Sequence, residues 1–197
     1  MNWVDRLEAS APDIVAAWRG IEAERFITVR REVRRRAGSG SAIGIAAQLA
    51  TLAEALDAFV QDATDETLAL PGGEEDWNVA QAIGHVCDAR AGLCLAAALA
   101  AGGRWPADAP PVVPGVPGPP QAERSTLLRK IAQSQRLIER ASRTVVGHET
   151  DPCPLDHPWI GRLRCGEWLL FAGVHDLMHL EQLHALAAPP VGVGSVG

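Results

Sequence analysis

No segment of this 197-residue chain alternates apolar and polar residues convincingly, so the signature of a half-buried sheet is missing. Cysteine is scarce. Cys87, Cys94, Cys153 and Cys165 show neither CxxC spacing nor the density of a disulfide scaffold, and reduced thiols are expected, with Cys153 a candidate exposed one. No apolar run reaches the length of a membrane span: the richest, LCLAAALAAGG, is too short and Ala-rich rather than Leu-rich, so no membrane association is expected. The opening MNWVDRLEAS carries acids where a signal peptide would carry an apolar core, which leads us to expect no export signal and a cytoplasmic protein. Positive charge is in deficit. With 18 Lys and Arg against 24 Asp and Glu the net charge is −6, which argues against a general nucleic-acid partner.

What is there is an ordinary globular balance, 47% apolar and 21% charged, in a chain long enough for one domain with a sizeable core. The chain punctuates itself into helices. A first helix is expected from Ser10 as N-cap, with Pro12 in its first turn, through RREVRRR to residue 36, before AGSGS. A second runs from about Ile45 to Leu68, with Leu49, Leu52, Leu56, Phe59 and Val60 at helical spacing. Pro71-Gly72-Gly73 makes a turn, and Asn78 with Gln81 three residues on forms a capping box for a third helix ending near Ala101. GGRWPADAPPVVPGVPGPP is too rich in Pro and Gly to be helix or central strand and reads as a long connection. Further helices run from about Gln121 to Val146 and from Cys165 to Ala187, separated by a loop holding Pro152, Pro154 and Pro158. The expected fold is therefore all-α: a four-helix bundle over residues 41–188, with an extra N-terminal helical extension over 1–40 and a disordered tail over 189–197. The Pro-rich link is long enough to span the bundle, which would let the second and third bundle helices run parallel.

The stretch GVHDLMHLEQL puts His175 and His179 four residues apart on an otherwise apolar stripe. At 100° per residue, His179 lies about 40° from His175 and Gln182 about 20° to the other side, among Trp168, Phe171, Ala172, Met178, Leu183 and Leu186. His184 falls about 180° away and should face outward. Two buried imidazoles need partners for their nitrogens. An ion shared at i, i+4 spacing is one solution, and core histidines bonded to backbone or to each other are the other. His85 offers a third imidazole on the apolar stripe of a second helix, beside Ala82 and Ala89, and facing helices are where bundles build metal sites.

LPGGEEDWNVAQAIGHVCDAR, followed much later by LDHPWIGRLRCGEWLLFAGVHDLMHLEQL, resembles the DinB-like family. The shared pattern is a Trp and a capping residue ahead of a helix with one His, then HPxxGxL and a Trp, then HxxxH and a Gln, in that order. The resemblance covers about Ile45 to Leu186. It implies a four-helix bundle binding one divalent metal through three histidines, matched here by His85, His175 and His179. It also implies frequent homodimers and, in several members, transfer of a low-molecular-weight thiol such as bacillithiol or mycothiol to a small electrophile. Arg164 departs from the usual Thr or Ser cap before the last helix, which predicts a looser start there, and residues 1–40 lie outside the pattern.

The chemistry can be read from the residues as well. Three neutral imidazoles leave an ion with positions for water or substrate, and Zn, Ni, Fe and Mn all suit such a set. A bound water or thiol would ionise near neutral pH. Gln182 is a candidate for orienting water or substrate, and Asp88 for holding an imidazole N–H, against a plain role as a solvated charge. HDLMH is not a zincin helix, because Asp176 replaces Glu and no HxxGxxH follows. RREVRRR, at a helix C-terminus, is expected to be a solvated end or an intramolecular contact with the acidic bundle. His148 and His157 lack ligand spacing. Two readings of function follow: a metal-dependent thiol S-transferase, and a non-catalytic bundle acting through self-association or a protein partner.

Overall fold

The computed structural model describes residues 2–21, 26–71, 77–113, 117–119 and 123–187. Gly72, Gly73, Gln121 and the tail over 189–197, each assigned above from sequence, lie outside the described residues. Helices dominate: α1 (Trp3–Glu8), α2 (Pro12–Arg19), α3 (Phe26–Arg36), α4 (Ala42–Asp62), α5 (Asp65–Ala69), α6 (Val79–Ala101), α7 (Arg124–Val145) and α8 (Cys165–Ala187). A two-stranded antiparallel sheet, β1 (Pro152–His157) and β2 (Gly161–Arg164), interrupts them before α8. That hairpin sits where the sequence reads as a Pro-rich loop. Its prolines are tolerated because a two-stranded ribbon is all edge, so a residue without an N–H removes no inner ladder bond.

The bundle is α4, α6, α7 and α8, and α6 is the helix most fully specified by local residues. Asn78 Oδ1 accepts from the Gln81 backbone N–H at 2.8 Å, and Gln81 Oε1 accepts from the Asn78 N–H at 3.0 Å, so the expected capping box forms. Each bundle helix packs against two neighbours, in the cyclic order α4–α7–α6–α8. Asp88 meets Lys130, Arg90 meets Ser134 and Gly102 meets Thr144, numbers rising together, so α6 and α7 run parallel as the long link allows. By length and composition α4 and α6 are each apolar enough to cross a membrane, contrary to the shorter run read from sequence; 50% and 61% of those windows are buried inside the protein.

Three boundaries differ from expectation. The single helix expected from Ser10 to residue 36 is instead α2 and α3, with α2 ending at Arg19 and C-capped by Gly20, and a further short helix, α1, precedes them. The helix expected to reach Leu68 stops at Asp62, and Thr64 then caps the short α5 by accepting from the Thr67 N–H at 3.1 Å. The cap of α2 is Ala11 and not Ser10, and no local side chain serves it. Gln48 of α4 does so across space: its Oε1 accepts from the N–H groups of Asp13 (2.9 Å) and Ile14 (3.2 Å), while its Nε2 donates to Asp13 Oδ2 at 2.8 Å. Orphan N–H groups at a helix start must be satisfied somewhere, and here a buried glutamine from the bundle supplies the oxygen.

The N-terminal segment is thus built into the core. Ile14, Val15, Ala17 and Val33 are fully buried. Ile14 presses on the backbone of α8 at Gly173, where a Cβ would fall 2.8 Å from Ile14 Cγ1. Trp3 of α1 stacks on His184 at 4.9 Å, and Phe59 meets the same ring edge-on at 5.5 Å, so His184 points away from His175 yet is covered. The basic end of α3 is used within the chain: Arg35 and Arg36 pair with Glu32, and Arg34 lies 3.5 Å from the buried Glu167.

Long helices elsewhere are also capped from outside. Glu149, 1% exposed, aims its carboxylate at the start of α4, 3.4 Å from the Ala42 N–H, and accepts from Gly147 N–H at 2.9 Å. The start of α8 is not loose despite Arg164. Glu167 Oε2 accepts from the Arg164 N–H at 2.7 Å, and the carbonyls of Asp151 and Glu149 accept from Cys165 and Gly166.

Two outcomes follow from this anchoring. Ile14→Ala should lose about 2–5 kcal/mol and Gln48→Ala about 0.5–2 kcal/mol, read from urea midpoints. Stability unchanged in both would mean that the N-terminal helices do not pack on α8 and α4. Glu149 makes stability depend on pH in the acid range. Burial raises its pKa, but backbone N–H groups, those of Gly40, Ala42 and Gly147 among them, outweigh this and hold it below the usual carboxylate value. Its contribution is present above the unfolded-state value near 4.5 and is lost as pH falls through the lower folded one. Glu149→Gln should therefore be less stable at neutral pH and show a shallower acid limb than wild type.

Candidate metal centre

The centre forms between α6 and α8, which run antiparallel. His85 comes from the second turn of α6, and His175 and His179 from one face of α8. One ligand-capable atom from each lies within 4.8 Å of the other two. The Nε2 atoms of His85 and His175 are 3.3 Å apart, and the ring centroids of the three imidazoles are separated by 4.5–5.2 Å. All three sequence-selected histidines are thus brought together. His85 and His179 are 9% and 6% exposed.

Burial decides the protonation of His175 and His179. It lowers the His179 pKa to about 4, with the neighbouring His85 adding to the effect and the Gln182 hydrogen bond opposing it. It takes His175 well below its ordinary value, reinforced by His179, His85 and His157. Neutral imidazole is the form that offers a lone pair to a metal. The side chain of Gln182 is 3.1 Å, Oε1 to Nδ1, from His179. An amide oxygen accepts, so the His179 proton belongs on Nδ1 and its Nε2 is left as the free donor atom. Gln182 therefore positions a histidine, which is a narrower role than handling water or substrate. His175 Nδ1 is buried with no hydrogen-bond partner among the described residues.

The surroundings are asymmetric. Trp77, 7% exposed, covers His85 with ring centroids 4.8 Å apart. Phe171 lies 6.5 Å from His175 and 5.1 Å from His157, whose own pKa burial lowers to about 4. On the other side His85 borders a cavity of about 300 Å³ that runs along α6. Ala89 lines it; Ala82, on the same stripe, and Ala172 of α8 are fully buried. Asp88 does not reach an imidazole. It is exposed, and both its oxygens lie 2.7 Å from Lys130 Nζ.

A residue that the sequence reading passed over holds this layer in place. Arg90, wholly buried, donates from Nε to Asp176 Oδ2 (2.8 Å), from Nη1 to Ser134 Oγ (3.2 Å) and from Nη2 to the Leu49 carbonyl (2.7 Å). The signal was available: an arginine and an aspartate each stand within an apolar run, and charged residues almost never go fully inside unpaired. Burial raises the Asp176 pKa to about 6 in spite of Arg90, and Asp176 Oδ1 has no hydrogen-bond partner among the described residues. Arg90→Ala should cost about 3–5 kcal/mol, because it strands Asp176 in the core, and Arg90→Met with Asp176→Leu should recover most of that loss. Equal destabilisation in the single and double variants would show that the pair is not the cause.

None of the four cysteines competes for a catalytic role. All are free and buried, Cys153 included, so it is not the exposed thiol expected. Burial pushes Cys87, Cys94 and Cys165 up to about 12, far from thiolate formation at neutral pH.

No curated protein and no solved structure matches the chain. A family model does: that of the DinB superfamily, over residues 48–183, which takes in the capping box of α6, all three histidines and Gln182. With well over half of its length matched, from α4 through most of α8, the chain belongs to the DinB superfamily.

Proposed function

We propose that His85, His175 and His179 hold one divalent metal ion, and that the centre serves a metal-dependent S-transferase acting with a low-molecular-weight thiol on a small electrophile. The observation that carries this reading is the cluster itself: two buried imidazoles and a half-buried one, His175, with donor atoms within 4.8 Å of one another, two of the three held neutral by desolvation, and a cavity against one of them. A core pair of histidines needs only each other. Here three converge, and Gln182 sets one tautomer so that a ring nitrogen stays free.

A divalent ion supplies positive charge that ionises a thiol near neutral pH. The residues do the rest. His179 is oriented by Gln182, Trp77 and Phe171 keep water from two sides of the imidazole layer, and the Arg90–Asp176 pair fixes the register of α6 against α8. The buried cysteines make an internal sulfur nucleophile a poor choice, which supports a thiol brought in as a separate molecule. In the transfer the sulfur forms a bond to the electrophilic carbon, the leaving group departs with its electron pair, and the thiol proton passes to solvent.

Elemental analysis of the purified protein should find close to one divalent ion per chain, among Zn, Ni, Fe and Mn. His85→Ala, His175→Ala and His179→Ala should each lose most of it, and Gln182→Ala should weaken binding about 10–100-fold. Bound metal should raise the melting temperature, since it binds only the folded state. In cobalt-substituted protein, adding a small thiol should produce a near-ultraviolet thiolate-to-cobalt band. Full metal retention in all three histidine variants would sink the triad. Metal binding with a cobalt spectrum indifferent to thiols would leave a non-catalytic bundle as the better reading.

A further inference from the structure

The cavity against His85 has a construction of its own. Its floor is one stripe of α6, in which His85, Ala89, Gly92, Ala96 and Leu99 recur at spacings of four and three. The stripe extends about 21 Å at 1.5 Å per residue. Gly92 is open to it, since a Cβ there would meet nothing within 4 Å. Its roof is the Pro-rich link, through Trp105, Pro110 and Val113, with Leu155 of β1 alongside.

The link is fastened at two places. Val113 N–H donates to the Asp156 carbonyl at 3.0 Å, and Asp156 N–H donates to the Pro111 carbonyl at 2.7 Å. Farther on, Gly118 N–H donates to the Gln81 carbonyl at 3.1 Å, and Gly118 lies so close to Gly84 that a Cβ on Gly84 would fall 2.8 Å from Gly118 Cα. The second fastening is one residue from His85. The roof therefore rests on β1 and on the helix that carries the histidine, and a space is kept between.

Charge inside that space is nearly absent. Among the described lining residues only His85, Asp88 and the indole of Trp105 have polar side-chain atoms, and the one carboxylate, Asp88, is held by Lys130. A charged ligand body would find no counter-ion there, and burying an unpaired charge is costly. An apolar body would gain from every group it buries. At roughly 30 Å³ for each water-sized group, the volume of about 300 Å³ takes about ten non-hydrogen atoms.

We infer that this cavity binds the electrophilic substrate, and that the substrate is an uncharged, elongated apolar molecule of about ten non-hydrogen atoms lying along α6 with its reactive end at His85. This deepens the S-transferase reading and rests on it for the word electrophile; the cavity and its apolar occupant do not depend on the metal. Gly92 and Ala96 set how thick the body can be, and Trp105 closes the space over it.

Calorimetry on the full-length protein as purified tests this with two series of probes. Straight-chain hydroxamates, from acetohydroxamate upwards, carry a metal-chelating head; 1-alkanols of the same lengths do not. Hydroxamate affinity should rise about fourfold per added methylene and level off near eight carbons, and the alkanols should follow the same slope from a weaker start. Gly92→Leu should flatten both series while leaving acetohydroxamate binding unchanged. Trp105→Ala should weaken only the longer members. A flat length dependence in wild type, or a slope that survives Gly92→Leu, overturns the assignment. If acetohydroxamate fails to bind while the alkanols keep their slope, the metal reading has failed and the apolar cavity stands.

Discussion

The guanidinium of Arg90 is the contact on which the rest of this structure depends. It springs from α6 and reaches α8 through Asp176, α7 through Ser134 and α4 through the Leu49 carbonyl, so one buried group touches all four bundle helices. Apolar packing alone would tolerate α6 sliding against α8, because the stripes of both helices are broad and rich in Ala and Leu. A charge sealed in the core does not tolerate it, because any slip leaves a guanidinium or a carboxylate without its partner. His85 and His175 lie on the same two helices as Arg90 and Asp176. A register fixed by the ion pair is therefore a register fixed for the histidines.

The site then divides its surroundings. Trp77 closes one flank of the imidazole layer, and Phe171 with His157 lies against another. The cavity side is made of small residues, with Ala89, Gly92 and Ala96 in place of the Leu or Phe that a purely structural core would use. Leaving space costs packing energy. The protein offsets that elsewhere, by laying α2 and α3 across α8 and by burying Ile14 against Gly173. The N-terminal helices thus support the back of α8, the helix that carries two of the three histidines.

Helix ends show how stability and site are connected. α6 is capped by its own residues, Asn78 and Gln81. α2 is capped by Gln48 of α4, the start of α4 faces Glu149 from beyond α7, and the first N–H groups of α8, those of Cys165 and Gly166, go to the carbonyls of Asp151 and Glu149. These cross-chain caps fasten the N-terminal segment and the hairpin region to the bundle. They also supply what Arg164 and Ala11 lack as caps.

The sequence by itself determined what depends on local chemistry and on helical period. The all-α bundle, the extent of α6 and α8, the parallel run of α6 and α7 across a Pro-rich link, and the inward direction of His85, His175 and His179 were all legible. A 3.6-residue period and an Asn–Gln box act within a few residues and need no distant partner. Only the tertiary structure decided the rest. The break of the first helix into α2 and α3, the end of α4 at Asp62, the small hairpin, the covering of His184 by Trp3 and the burial of Cys153 all depend on partners far away in the chain. So do the threefold reach of Arg90 and the hydrogen bond between Gln182 and His179. Gln182 and Asp88 looked alike as candidates in the sequence. One meets an imidazole and the other meets Lys130, because the direction of a polar side chain is set by whichever complementary group folding brings within hydrogen-bond reach of it.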